Sequence, residues 1–127
     1  MTYTPEKITE LKDNEIFVFG SNEAGIHGAG AAHLAYTKFG AIWGKGVGMA
    51  GQTYAIPTKN KNIQTLPLYK IERYVNKFIA YAVFSPQFDF LVTKIGCGLA
   101  GYSIEEIAPL FKKKLPNNII LPKEFTV

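Results

Sequence analysis

The stretch Phe88–Glu106, FDFLVTKIGCGLAGYSIEE, runs from an apolar segment through a glycine loop into a helix start. Phe88 to Ile95 reads as a buried strand, short and rich in aromatic and β-branched residues. Ser103 and Glu106 form S-x-x-E, the capping box that opens a helix. Strand, bare loop and helix together form the arrangement that aims backbone N–H groups at an anion. Gly96, Gly98 and Gly101 spell G-x-G-x-x-G, yet only 26 of the 127 residues follow Gly101. A Rossmann domain carries that fingerprint early and builds further βαβ units after it. The loop is a phosphate-loop candidate of another kind.

Working outward, Glu15 to Phe19 (EIFVF) reads as a first buried strand, closed by Gly20-Ser21-Asn22. Gly28 to Phe39 reads as an alanine-rich helix, Gly40 to Gly51 as a loop, and Tyr54 to Ile56 as a strand stopped by Pro57. Between Leu68 and Val83, apolar residues recur at helical spacing with Lys70, Glu72, Arg73, Asn76 and Lys77 on the other face, and Pro86 closes that helix. Lys112, Lys113 and Lys114 are placed to favour the end of the helix after Ser103. Pro109 either kinks that helix or marks its true start. Asn118 to Leu121 makes a last strand. The order β-α-β-α-β-α-β predicts an α/β fold with a small, largely parallel central sheet and helices on its faces. The expectation is one domain over residues 1–127, with 1–14 as an N-terminal lead-in.

Composition is that of a globular chain, 47% hydrophobic and 19% charged, with a net charge of +4 that favours small anions slightly. The single cysteine, Cys97, excludes an internal disulfide and a cysteine-based zinc site. No metal or cofactor is implied. The first fifteen residues lack the apolar stretch of a signal peptide, and no apolar run is long enough to span a bilayer. The expected compartment is the cytoplasm, with no membrane partner.

All 12 glycines fall in two zones, nine from Gly20 to Gly51 and three from Gly96 to Gly101. Both zones follow strands, so both reach the carboxyl-end rim of the sheet, where α/β folds bind ligands. GAIWGK (40–45) resembles a Walker A loop but is one residue short, and Gly46 stands where a magnesium-binding hydroxyl belongs. Gly46 to Gly51 repeats G-x-G-x-x-G but precedes a strand, the wrong context.

Taken together, GSNEAGIHGAGAAHLAY, YAIPTK and VTKIGCGLAGYSIEEIA resemble, in order and spacing, the signatures of macro domains. The resemblance covers about Glu15 to the C-terminus. It implies a compact three-layer α/β/α module that binds ADP-ribose or a related diphosphate-containing nucleotide. Asn22, beside Ser21, matches the family asparagine that faces the distal ribose. Gly28, Ala29, Gly30 and Ala31 match the loop along the distal ribose and diphosphate. Gly96, Cys97, Gly98, Leu99, Ala100 and Gly101 match the second diphosphate loop, with Tyr102 against the distal ribose. Three departures stand out. The N-terminal segment that bears the adenine-contacting Asp is missing or shortened, leaving only Asp13 nearby. Ala31, Ala32 and His33 occupy the places where one hydrolase branch has an Asp. The Gly40–Gln52 stretch is an insertion that would cover the ligand.

The chemistry-bearing candidates each have a structural alternative. Asn22 would orient a ribose hydroxyl or a water, or else make an Asx turn. Glu23 is a base or a solvated surface residue. His27 is a phosphate contact or an acid–base group, or else a loop histidine with one structural bond. Asn22 and His27 are the catalytic candidates. His33 reads as packing or surface. Lys45 would reach a phosphate, and Trp43 would stack on a base or anchor its loop. Thr58 and Lys59 end a strand on the same rim. Cys97 reads as a small packed residue before a nucleophile, since no partner base is placed. Nucleotide binding leads. Hydrolysis of an ADP-ribosyl or ester linkage is the first alternative and nucleic-acid binding, disfavoured by the lack of a basic-aromatic motif, the second.

Overall fold

The computed structural model describes residues 2–126; Met1 and Val127, the ends of the 1–127 domain span, lie outside the described residues. It is a mixed α/β fold built on β1 (Glu15–Asn22), α1 (Gly30–Leu34), β2 (Gly48–Ala50), β3 (Thr53–Lys59), α2 (Leu68–Val83), β4 (Asp89–Val92), α3 (Ile104–Ile107) and β5 (Ile119–Ile120). The five strands form one sheet in the order β2-β3-β1-β4-β5. All neighbours are parallel except β2 and β3.

β1 is central and buried on both faces, as a parallel strand must be when helices cover the sheet. Successive side chains point to opposite faces. Ile16 and Val18 therefore join one core cluster, with α2, and Phe17 and Phe19 join another, with Ala32, Ala35 and Phe39. α2 buries Ile71, Val75, Phe78 and Ala82 and exposes its charged face. Each of the larger side chains stabilises the fold by about 1.5–3 kcal/mol through burial.

Four local expectations are corrected. The Gly40–Gly51 segment is not wholly loop, because Gly48–Ala50 pairs antiparallel with β3. Pro57 does not stop β3, which continues to Lys59. The Phe17 N–H bonds the Gln52 carbonyl, so alternation turns the Pro57 nitrogen away from β1. β2 ends opposite Ala55, so Pro57 breaks no ladder bond. The alanine-rich helix starts at Gly30 and widens into a π-helical turn, Ala35–Phe39, closed by Gly40 at φ 95°. The Ser103 capping box is present, with Glu106 N–H donating to Ser103 Oγ and Ser103 N–H to Glu106 Oε1. However, α3 yields after four residues to a 3₁₀ turn, Ala108–Phe111, that accepts Pro109 near its start. Lys113 lies beyond that turn and reaches Glu72 and Asn76 on α2.

Tyr54 is 2% exposed and packs against Phe78, Tyr81 and Phe90 with centroids 5.0, 5.4 and 6.5 Å away. Burial pushes its phenol up from 10.0 to about 12, and Tyr81 adds to this. The unfolded phenol loses its proton first. Stability from this group is full below pH 10 and falls as pH rises toward 12, by about 2–3 kcal/mol. Alkaline unfolding followed by phenolate absorbance should show this loss, and Tyr54→Phe should reduce it.

Candidate functional site

β1, β3 and β4 run parallel, so their carboxyl ends share one rim. A cavity of about 350 Å³ opens there. Its floor is Gly20, Ser21 and Asn22 from β1, with Thr58 and Lys59 on one side and Thr93 and Lys94 on the other. The β1–β3 register passes from Ser21↔Pro57 to Asn22↔Lys59 and skips Thr58. This bulge places Thr58, 4% exposed, in the cavity wall.

The first glycine loop forms one wall. The Asn22 amide is consumed locally: Nδ2 donates to the Ile26 carbonyl at 2.8 Å, and Oδ1 accepts from the Ile26 N–H at 3.0 Å. Asn22 lines the cavity while holding the turn that follows β1, the Asx-type role. Beyond that turn, Gly28, Ala29, Gly30 and Ala31 face the cavity. A Cβ at Gly28 or Gly30 would meet no atom within 4 Å. No side chain caps the start of α1, and its first turn carries no acid.

The second loop forms the opposite wall through Gly96, Gly98, Leu99 and Ala100. Gly96, at φ 74°, is bare for packing, since a Cβ would lie 2.8 Å from Ile107 Cδ1. Gly98 is bare toward open space. The loop closes on itself through Gly101 N–H to Gly98 O and Tyr102 N–H to Gly96 O. Thr65 Oγ1 ties it to the loop after β3 by donating to the Ala100 carbonyl.

Several residues chosen from sequence stand elsewhere. His27 is fully buried and does not line the cavity. Its Nε2 lies 3.0 Å from the Ile42 carbonyl and 3.2 Å from that of Lys45, while Nδ1 has no partner. Phe19, Tyr36 and Trp43 surround the ring. His27 thus pins the 40–47 loop, the structural role that stands as the alternative to an acid–base or phosphate group. That loop packs behind the first glycine loop: Gly44 N–H donates to Gly25 O, and Ser21 Oγ donates to Gly46 O. It does not cover the cavity, as an insertion over the ligand would. Lys45 points its Nζ at the Met49 carbonyl instead of a phosphate position. Tyr102 donates its hydroxyl to Leu66 O at 2.6 Å and lies outside the cavity, as do Gly101 and Cys97. Cys97 packs against the core, and burial pushes its thiol up. Glu23 accepts from the Tyr74 hydroxyl, a bond that raises that phenol to about 12.

Sequence reasoning missed a second cavity of about 420 Å³. It adjoins the first, since Ala31, Thr93 and Lys94 line both. Phe17, Ile8 and Leu34 give it an apolar interior, and the lead-in residues Thr4 to Thr9 form one wall. That segment is anchored by Thr4, whose N–H donates to Leu121 O and whose hydroxyl donates to Ile120 O. Lys94, at the junction, bridges Glu6 and Glu124 at 2.9 Å each. No periodicity in residues 2–14 signals this wall.

The electrostatic character is simple. Lys59 and Lys94 line the first cavity, and no Asp, Glu or His does. Among the described residues, no three metal-ligating side chains cluster. No helix among them is long and apolar enough to cross a membrane. The rim therefore presents bare backbone and two lysines, of which Lys94 is bridged to Glu6 and Glu124, while the Ser21, Thr58 and Thr93 hydroxyls donate to backbone carbonyls. No family model, curated protein or solved structure matches the chain.

Proposed function

We propose that the chain is a compact three-layer α/β/α macro-like module of the cytoplasm that binds ADP-ribose or a related diphosphate-containing nucleotide. The observation that carries this reading is the pair of bare loops, with Gly28 and Gly98 open toward one cavity whose lining includes Lys59 and the glutamate-paired Lys94 and no carboxylate. A diphosphate needs close backbone approach and positive charge, and both loops supply the first. The adjoining apolar cavity suits a nucleobase, with the sugar crossing at Ala31, Thr93 and Lys94. Charge-assisted backbone bonds of about 1.5–3 kcal/mol each are sufficient for micromolar affinity, near −8 kcal/mol.

Binding is favoured over hydrolysis because the groups able to move protons are engaged elsewhere: His27 is buried in its loop and Glu23 is bonded to Tyr74. Calorimetric titration at two salt concentrations tests the proposal. ADP-ribose and ADP are expected to bind at micromolar levels, with AMP and ribose-5-phosphate about tenfold weaker or worse. An assay for release of ADP-ribose from linked substrates is expected to show no turnover. No binding by any of the four overturns the reading. A steep loss with salt, together with binding to single-stranded oligonucleotides, points instead to a nucleic-acid module.

A further inference from the structure

The loops after β1, β3 and β4 each bring one aliphatic side chain to the first cavity, where a sugar site would be polar. Ile26, Ile63 and Leu99 all line it, and they are 43%, 41% and 72% exposed. The donors beside them are occupied. The Asn22 amide serves Ile26, the Thr58 hydroxyl donates to Ser21 O, and the Ser21 hydroxyl donates to Gly46 O. Lys59 is a cation of the same lining.

Ile63 is held there against its own preference. Its φ is 61°, the one left-handed non-glycine among the described residues. A β-branched side chain is a true outlier in that region, and such strain persists only where the surroundings over-determine it. Asn60 does so here. Its Oδ1 accepts from the N–H groups of Asn62 and Gln64, its carbonyl accepts from Ile63, and its own N–H reaches Gln64 O. The adjoining Thr65 bonds the second glycine loop. The result is an aliphatic side chain fixed in the cavity lining.

Strand order sets the direction of the ligand. The second cavity joins the first beside the end of β4, and the Ile63 loop follows β3, with β1 between them. A ligand with its base in the second cavity and its diphosphate over the end of β1 sends its other terminus under Ile26, Ile63 and Leu99. We propose that this terminus carries a second planar ring, so that the ligand is a dinucleotide joined through a diphosphate and not a nucleotide ending in a bare sugar. The inference rests on the diphosphate reading above. Three branched aliphatics whose neighbouring side-chain hydroxyls and amide are already engaged match the face of a heteroaromatic ring better than they match sugar hydroxyls.

The test compares NAD and diadenosine diphosphate with ADP-ribose by calorimetry on the full chain. At least one dinucleotide is expected to bind about tenfold tighter than ADP-ribose, the gain from burying an aliphatic contact of this size. Ile63→Asn should bring that ratio close to one. Asparagine accepts the left-handed backbone, so the melting temperature of this variant should hold or rise. Equal affinity for ADP-ribose and both dinucleotides, or a ratio that survives in the Ile26→Ser/Ile63→Asn double variant, overturns the second-ring site and leaves the diphosphate reading standing. Failure of all three ligands to bind overturns both.

Discussion

Gly46→Ala is expected to cost about 3–5 kcal/mol, among the largest effects of any single methyl group in this chain. A Cβ at Gly46 would lie 2.0 Å from the Asn22 carbonyl oxygen and 3.1 Å from Gly25 N. Both neighbours are backbone, so no rotamer change relieves the overlap. The loop cannot withdraw cheaply, because Ser21 bonds the Gly46 carbonyl and His27 holds those of Ile42 and Lys45. Gly44→Ala is the control. Gly44 sits at φ 92° with open space where a Cβ would go, so it carries backbone strain alone, about 1–2 kcal/mol. Urea unfolding with unchanged m-values should separate the two. Similar losses in both variants would mean that the 40–47 loop does not lie this tightly against the first glycine loop. Since Asn22 leads into the wall bearing Gly28, Gly46→Ala should also weaken nucleotide binding without touching the cavity.

Those contacts also mark where sequence reading ends. β1, β4 and α2 were legible because their burial is written in side chains: EIFVF, FDFLV and the apolar stripe from Leu68 to Val83. β2 was not, since Gly48 and the residues around it carry no alternation that would distinguish a strand. Pro57 misled because a missing N–H matters only on the paired side of a strand, and pairing is not visible in one segment. The two glycine zones were legible as loops on one rim, and they do meet across a cavity. What each glycine is for was not. Gly25 and Gly46 are bare for each other's loop and Gly96 for Ile107, while Gly28 and Gly98 face open space. His27, Lys45 and Tyr102 were chosen for what their side chains can do. Their partners are backbone carbonyls of Ile42, Lys45, Met49 and Leu66, atoms that every residue carries and that no motif announces. The second cavity escaped for a related reason: its wall is a polar lead-in held by two bonds from Thr4.

Gly98→Val should abolish nucleotide binding, by at least about a hundredfold, while shifting the melting temperature by no more than about 2–4 °C. The two effects part because Gly98 is bare toward the cavity and not toward the protein. No atom lies within 4 Å of a Cβ placed there, and its backbone is outside the left-handed region, so a branched side chain is accommodated. The same side chain projects into the space that a diphosphate must enter to reach the loop amides. Gly28→Val, on the facing wall, meets the same conditions and should behave alike. Gly30→Val should not, although Gly30 stands in the same loop as Gly28. Gly30 opens α1 at φ 58°, so valine there strains the helix start and should lose stability as well as binding. Calorimetry with ADP-ribose and thermal melts on all three variants would separate these outcomes. Wild-type affinity in both Gly98→Val and Gly28→Val would remove the two-loop clamp, because a diphosphate held between those walls would meet a branched side chain in either variant. Loss of binding in one alone would place the anion against a single loop and leave the other glycine zone to backbone packing.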